Sequence, residues 1–124
     1  MPNALSPFAG QKYLSLESFR KSGAGVAVPV WFAEENGTLY VYSEAASGKV
    51  KRIRNNPRVR VAPCDMRGRV KGDWIQAAAR ILSGSEALHA DDLLNAKYGF
   101  QKRLLRFFAK FRPRPRAYIA ITPS

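Results

Sequence analysis

The 124-residue sequence predicts a small α+β barrel or sandwich, and three observations carry that prediction. Two runs rich in Val, aromatic and Thr residues flank Glu34-Glu35-Asn36-Gly37, the turn signal of a β-hairpin. Arg58 to Cys64, "RVRVAPC", alternates strictly, with Val59 and Val61 on one face. From Ser85 the apolar spacing turns helical, and the closing "RAYIAITPS" alternates again.

Taken in order, "SLESFRKSG" reads as a short helix over 15–22, with Ser15 as cap, Leu16 and Phe19 three apart, and Gly23 where the helix stops. Residues 25–33 and 38–44 form the hairpin. Pro29 has no N–H to give to a ladder, so its strand is an edge, bulged or partly unpaired there. "SGKVKRIRNNP" makes one or two helical turns, capped by Ser47, ended by Asn55-Asn56 and stopped by Pro57. The strand 58–64 follows, then a turn region "GRVKGDW" and a strand over 74–82, although its alanines also allow a helix. Leu88, Leu93 and Leu94 mark one helical segment. Leu104, Phe107, Phe108 and Phe111 mark a second, which "RPRPR" ends before the last strand.

Bulk properties narrow the classes. Apolar residues are 46% and charged residues 24% of a chain whose length fits one domain, residues 1–124, as expected of a soluble globular protein. With 21 Lys and Arg against nine Asp and Glu, the net charge of +12 favours anionic partners. The lone Cys64 makes no internal disulfide and no metal site, and reads as a buried small hydrophobe. No leader pattern opens the chain and no apolar stretch approaches the roughly 20 residues of a membrane span, so the cytoplasm is the expected compartment.

The functional question centres on "SEAASGKVKRIRNNPRVR", residues 43–60, where Lys49, Lys51, Arg52, Arg54, Arg58 and Arg60 follow with no acid after Glu44. At 100° per residue Val50 and Ile53 share a face that pins the short helix to the core, with Lys49 and Arg52 on one flank and Lys51 and Arg54 on the other. Lys49 stands beside Gly48 at the helix start, where unpaired N–H groups favour an anion, and Ser43 adds a hydroxyl on the same side. Gly48 would let a ligand approach the backbone. Three readings stand: solvated surface charge, phosphate contacts to nucleic acid, or a cradle for one small anion. No helix-turn-helix spacing, zinc-ligand pattern or aromatic RNA-binding strand accompanies the cations, which makes nucleic acid the remote reading.

Taken together, "TLYVYSEAASGKVKRIRNNPRV", the upstream "VAVPVWF" and the strand after "RGRVKGDW" resemble the pyridoxamine 5'-phosphate oxidase-like split-barrel family, and within it the deazaflavin-dependent branch. The ordered set is Pro29-Val30-Trp31, Ser43, Lys49 and Pro57, and the likeness runs from about Lys12 to Leu82 with a looser fit of the last strand. The resemblance implies a mainly β fold, a six-stranded split barrel with short helices, working as a homodimer with the cofactor in a groove between subunits. It implies that a tricyclic ring lies against the backbone of Val28, Pro29, Val30 and Trp31. Ser43, Gly48, Lys49, Val50 and Arg52 would hold the phosphate and the start of the tail. Lys51, Arg54 and Arg58 would suit the glutamate tail of coenzyme F420, with FMN as the alternative cofactor. Trp31 and Trp74 are candidate pocket walls or core aromatics, and Tyr42 and Tyr98 candidate donors to a product.

The activity implied is an F420-dependent oxidoreductase that passes a hydride to a small electron-poor substrate. An FMN-dependent oxidoreductase and a non-enzymatic cofactor carrier are the alternatives. No nucleophile or acid/base pair stands out, as fits a reaction whose chemistry the cofactor carries. His89, beside Asp91 and Asp92, reads as a polar side chain at the surface with no part in catalysis. The chain departs from the family at "KSGAG", in place of a tighter turn, and in the strongly basic segment 101–116. That basic amphipathic stretch fits a cap over the tail, a peripheral membrane contact through residues 101–112, or packing on the barrel with its cations in water.

Overall fold

In the computed structural model of the chain, residues 4–109 and 116–124 are described, residues 100–109 by their backbone alone. Six antiparallel strands close into a barrel in the order β1-β2-β3-β6-β5-β4. They are β1 (Tyr13–Phe19), β2 (Gly25–Glu35), β3 (Thr38–Glu44), β4 (Arg58–Cys64), β5 (Ile75–Leu82) and β6 (Arg116–Pro123). Helix α1 (Gly48–Asn55) joins β3 to β4, and α2 (Gly84–Ala109) joins β5 to β6.

The hairpin, α1, β4, β5 and β6 stand where the sequence puts them. The segment 15–22 does not: it is the strand β1, flanked by β2 on one side and β4 on the other. Leu14, Leu16 and Ser18 are wholly or almost wholly buried at every second position, while Tyr13, Glu17 and Phe19 are only partly covered. Leu16 and Phe19 are three apart by coincidence, and the period of two is the one that a strand paired on both edges obeys.

Alternate residues of every strand fill the barrel: Leu14, Leu16, Phe32, Leu39, Val41, Val59, Val61, Ile119 and Ile121 are all at most 2% exposed, and Ala77 and Ala79 of β5 are buried beside them. Phe8, from a 3-10 turn (Ser6–Phe8), meets Phe32 edge-on at 5.8 Å. Val50 and Ile53, buried from α1, complete the same core. Each such burial contributes about 1.5–3 kcal/mol. As expected, Cys64 is buried, and burial pushes its thiol pKa up.

The helical pair expected after Ser85 is one continuous helix. It lays Ala90, Leu94 and Tyr98 on the outer face of the sheet, against Ala33 of β2 and Ala120 of β6, while Leu88 turns to solvent, 68% exposed. The stripe Leu104, Phe107, Phe108 and Phe111, and the tail or membrane role expected of the basic segment, fall on side chains of residues 100–115, outside the described ones. Among the described residues no helix is long and apolar enough to cross a membrane.

Candidate functional site

The barrel is split between β2 and β3. Their pairing begins at the Asn36-Gly37 turn, both residues at positive φ, and runs only from Glu35↔Thr38 to Phe32↔Val41. Beyond that point β2 continues for seven residues, Gly25 to Trp31, paired to β1 alone. A two-residue turn of this kind closes on a pair that exchanges both hydrogen bonds, and the alternation runs back along the strand. Ala33, Trp31, Pro29 and Ala27 therefore turn their backbone polar groups to the β3 side, and Phe32, Val30 and Val28 turn theirs to β1. The hydroxyl of Tyr98 fits this polarity. On the β1 side, just past the end of the ladder, it accepts from the Phe32 N–H at 3.1 Å and lies 2.8 Å from the Phe32 carbonyl and 2.6 Å from that of Lys12.

Pro29 thus gives up no ladder bond, because its nitrogen faces the split. Were the β2–β3 register continued, Val30 would face Ser43. The open edge of β2 accordingly looks toward the end of β3 and the start of α1. There Ser43, 5% exposed, shares a 2.9 Å hydrogen bond with Ser47, whose hydroxyl caps α1 by accepting from the Val50 N–H at 3.4 Å. Lys49 is half-buried one residue into the helix. Burial above all, and the neighbouring Arg52 charge next, lower its pKa, with Glu44 opposing them in part.

Arg52 is held over this helix start. Its Nε donates to the buried Ser18 hydroxyl at 2.7 Å, and its Nη1 lies 2.7 Å from where a Cβ on Gly48 would stand. A side chain at Gly48 would make the flexible end of Arg52 shift, so the glycine leaves room for the guanidinium beside the backbone. Val50 is fully buried and offers the site only its N–H, already given to the cap. Lys51 and Arg54 are exposed on the outer flank of α1. Ser43, Gly48, Lys49 and Arg52 are thus brought together at the start of α1.

The two tryptophans lie elsewhere. Trp31 stacks on Tyr98 of α2 at 4.7 Å and 7°, and meets Tyr42 edge-on at 6.3 Å, so it packs under the helix. Trp74 carries the Arg60 guanidinium 4.8 Å above its ring, and Arg60 pairs with Glu17 at 2.5 Å, all on the outer face of the barrel. A cleft of about 310 Å³ beside them is lined by Phe19, Asn56, Arg58, Arg60 and Gln76 among others, and of the residues expected to meet the cofactor it includes only Arg58. The Tyr98 hydroxyl is occupied by backbone, and burial pushes its pKa up to about 12. His89 contacts Glu35 at 2.6 Å at the surface, and among the described residues no cluster of His, Cys, Asp and Glu is fit for a metal ion.

Residues 1–124 match the family model of pyridoxamine 5'-phosphate oxidase. The chain belongs to this family. Solved members of the same fold share little sequence with this oxidase-family chain. A conserved hypothetical protein from Mycobacterium tuberculosis is 19% identical, with a TM-score of 0.72 over 99% of this chain and 81% of that one. The heme storage protein HutZ of Vibrio cholerae is 12% identical, TM-score 0.68, over 93% and 83%. A FAD-binding protein from Mesorhizobium loti is 16% identical, TM-score 0.65, over 95% and 83%. No curated protein matches the chain.

Sequence reasoning missed two residues of this cluster. Ser47 stood only as a helix cap, and its bond to Ser43 required knowing that β3 ends against α1. Ser18 was lost inside the supposed helix, although "YLSLESF" read in period two places it on the inner face with Leu14 and Leu16.

Proposed function

We propose that this chain is a deazaflavin-dependent oxidoreductase that binds coenzyme F420 in the split and passes a hydride to a small electron-poor substrate. Family membership supports a flavin-type cofactor and a small-molecule partner. The observation that carries the reading is Lys49, half-buried at the start of α1 with its charged form disfavoured, where an anion would restore the balance. The residues fit such a group. Lys49 and the guanidinium of Arg52 are the cations for a phosphodiester, the Ser43 and Ser47 hydroxyls can turn toward it, and the open edge of β2 around Pro29, between Val28 and Val30, offers a flat backbone face for a ring.

The tail decides between cofactors. Lys51, Arg54 and Arg58 are exposed and have no ion-pair partner among the described residues, an excess suited to several glutamates rather than to the single phosphate of FMN. When bound, the deazaflavin supplies the hydride chemistry; the protein supplies orientation, charge and exclusion of water. The FAD-binding relative favours FMN as the second reading. Cofactor-free protein titrated with F420 and, in parallel, with FMN at two salt concentrations tests the assignment. Micromolar or tighter binding of the deazaflavin alone, followed by catalytic oxidation of the reduced form with an acceptor, is the expected result. Preference for FMN moves the chain to the flavin branch, binding without turnover makes it a carrier, and binding of neither returns the cations to a surface role.

A further inference from the structure

Resting on the F420 reading, the backbone of β2 carries a discrimination of its own. Pro29 lies three residues beyond the last β2–β3 pair, with its nitrogen on the split side and its side chain out against the turn at Gly68, where an added Cβ would stand 3.5 Å from the proline Cδ. Any other residue here would point an N–H into the split. Proline points a Cδ methylene there, and beside it only the carbonyl of the same residue. The ligand-facing edge therefore lacks a donor at this position and keeps an acceptor.

We propose that Pro29 makes the split selective for a deazaflavin over a flavin, by withholding the backbone donor that a flavin ring nitrogen would take. The two ring systems differ at the reactive position of the central ring. An oxidised flavin has a nitrogen there, an acceptor that loses its water on entering the site and needs a new donor. The deazaflavin has a C–H, which asks for no donor and tolerates both a methylene and a carbonyl beside it. A position without a donor, two residues from the Trp31 and Ala27 N–H groups on either side, is thus neutral to one ring and unfavourable to the other.

Replacing Pro29 by Ala or by Val restores the N–H, and Val also keeps bulk on the strand. Kd values for F420 and FMN are measured by fluorescence for the wild type and both variants, with thermal unfolding of each. Taking the ratio of the two Kd values between variants removes the difference in tails. FMN affinity should rise about three- to tenfold in both variants, the gain expected of one hydrogen bond, with F420 affinity within about twofold. A ratio that does not move in either variant, in a wild type that prefers F420, overturns the selectivity and leaves the function standing. Parallel loss of both cofactors makes Pro29 an element of shape and also overturns it. A wild type that prefers FMN removes the function and the selectivity together, and unfolding of both variants overturns the premise that no strand covers this edge.

Discussion

Replacing Tyr98 by Phe removes one oxygen and leaves the ring, so it isolates what the hydroxyl does at the end of the β1–β2 ladder. That oxygen contacts the N–H of Phe32 and two carbonyls, at 3.1, 2.8 and 2.6 Å. Without it the buried N–H of Phe32 is orphaned, at about 1–3 kcal/mol, and the two carbonyls each lose a partner, a smaller term because each has a second lone pair. The stack on Trp31 and the apolar burial stay. The expected loss is roughly 2–3 kcal/mol, or about 10 °C in Tm for a domain of this size. Urea unfolding should show a lower midpoint with an unchanged m-value. The same variant carries a pH signature. Tyr98 and Tyr118 are acids whose native pKa values, raised mainly by burial to about 12, exceed the ordinary 10.0, so the native state holds these protons more tightly. Their contribution is complete below pH 10 and drains as pH rises toward 12. Tyr98→Phe should therefore lose less stability than the wild type across that window. A loss under about 0.5 kcal/mol at pH 7, or an identical alkaline decline in both proteins, would refute the assignment of this hydroxyl to the backbone.

The cradle gives further tests. Lys49→Ala should weaken F420 binding by ~1.5–3 kcal/mol and leave Tm nearly unchanged, since the lost group makes a charged contact with ligand and none with the core; unchanged affinity in a titration would remove Lys49 from the site. Wild-type F420 affinity should fall as pH rises into the lowered Lys49 range, because the bound phosphate favours the ammonium and binding then takes up a proton, and Lys49→Arg should flatten that slope. Ser47→Ala removes the cap of α1 and the partner of Ser43, at a cost of about 1 kcal/mol by chemical denaturation, with a matching drop in cofactor affinity. Val50→Asp buries a carboxylate in the barrel end and should abolish cooperative unfolding by circular dichroism; a folded variant would place α1 off the core.

Most of the barrel was legible because each hairpin or crossover carries a local signal. Asn36-Gly37 fixed the turn and thereby the register of β2 and β3, and Val50 and Ile53 at three apart fixed the buried face of α1. What failed was short and ambiguous. In "SLESFRKSG" a cap-like Ser and an i, i+3 pair imitate a helix, and only the neighbours β2 and β4, far along the chain, decide for a strand. The same limit governed the site. Lys49 and Ser43 were visible because they flank a recognisable helix start, whereas the hold of Arg52 on Ser18 spans 34 positions and depends on the strand that was misread. Trp31 could be read equally as pocket wall or packing aromatic until Tyr98, 67 residues away, was found stacked on it.

The cations of residues 43–60 do not all bear on function equally, and the energetics separate them. Lys51, Arg54 and Arg58 lie in water, where an unpaired charge costs little, so they add to the positive field that a polyanionic tail would meet rather than to a built site. Arg60 is taken by Glu17 and Trp74 on the outer face, and Arg52 by Ser18 over Gly48. Lys49 differs from all of these: it is half-buried, lies beside another cation, and is only partly offset by Glu44. A lysine in open water would have no such penalty. An ammonium kept at a cost, at the end of a barrel split and beside two linked hydroxyls, has its simplest physical reason in an anion that arrives from outside the chain.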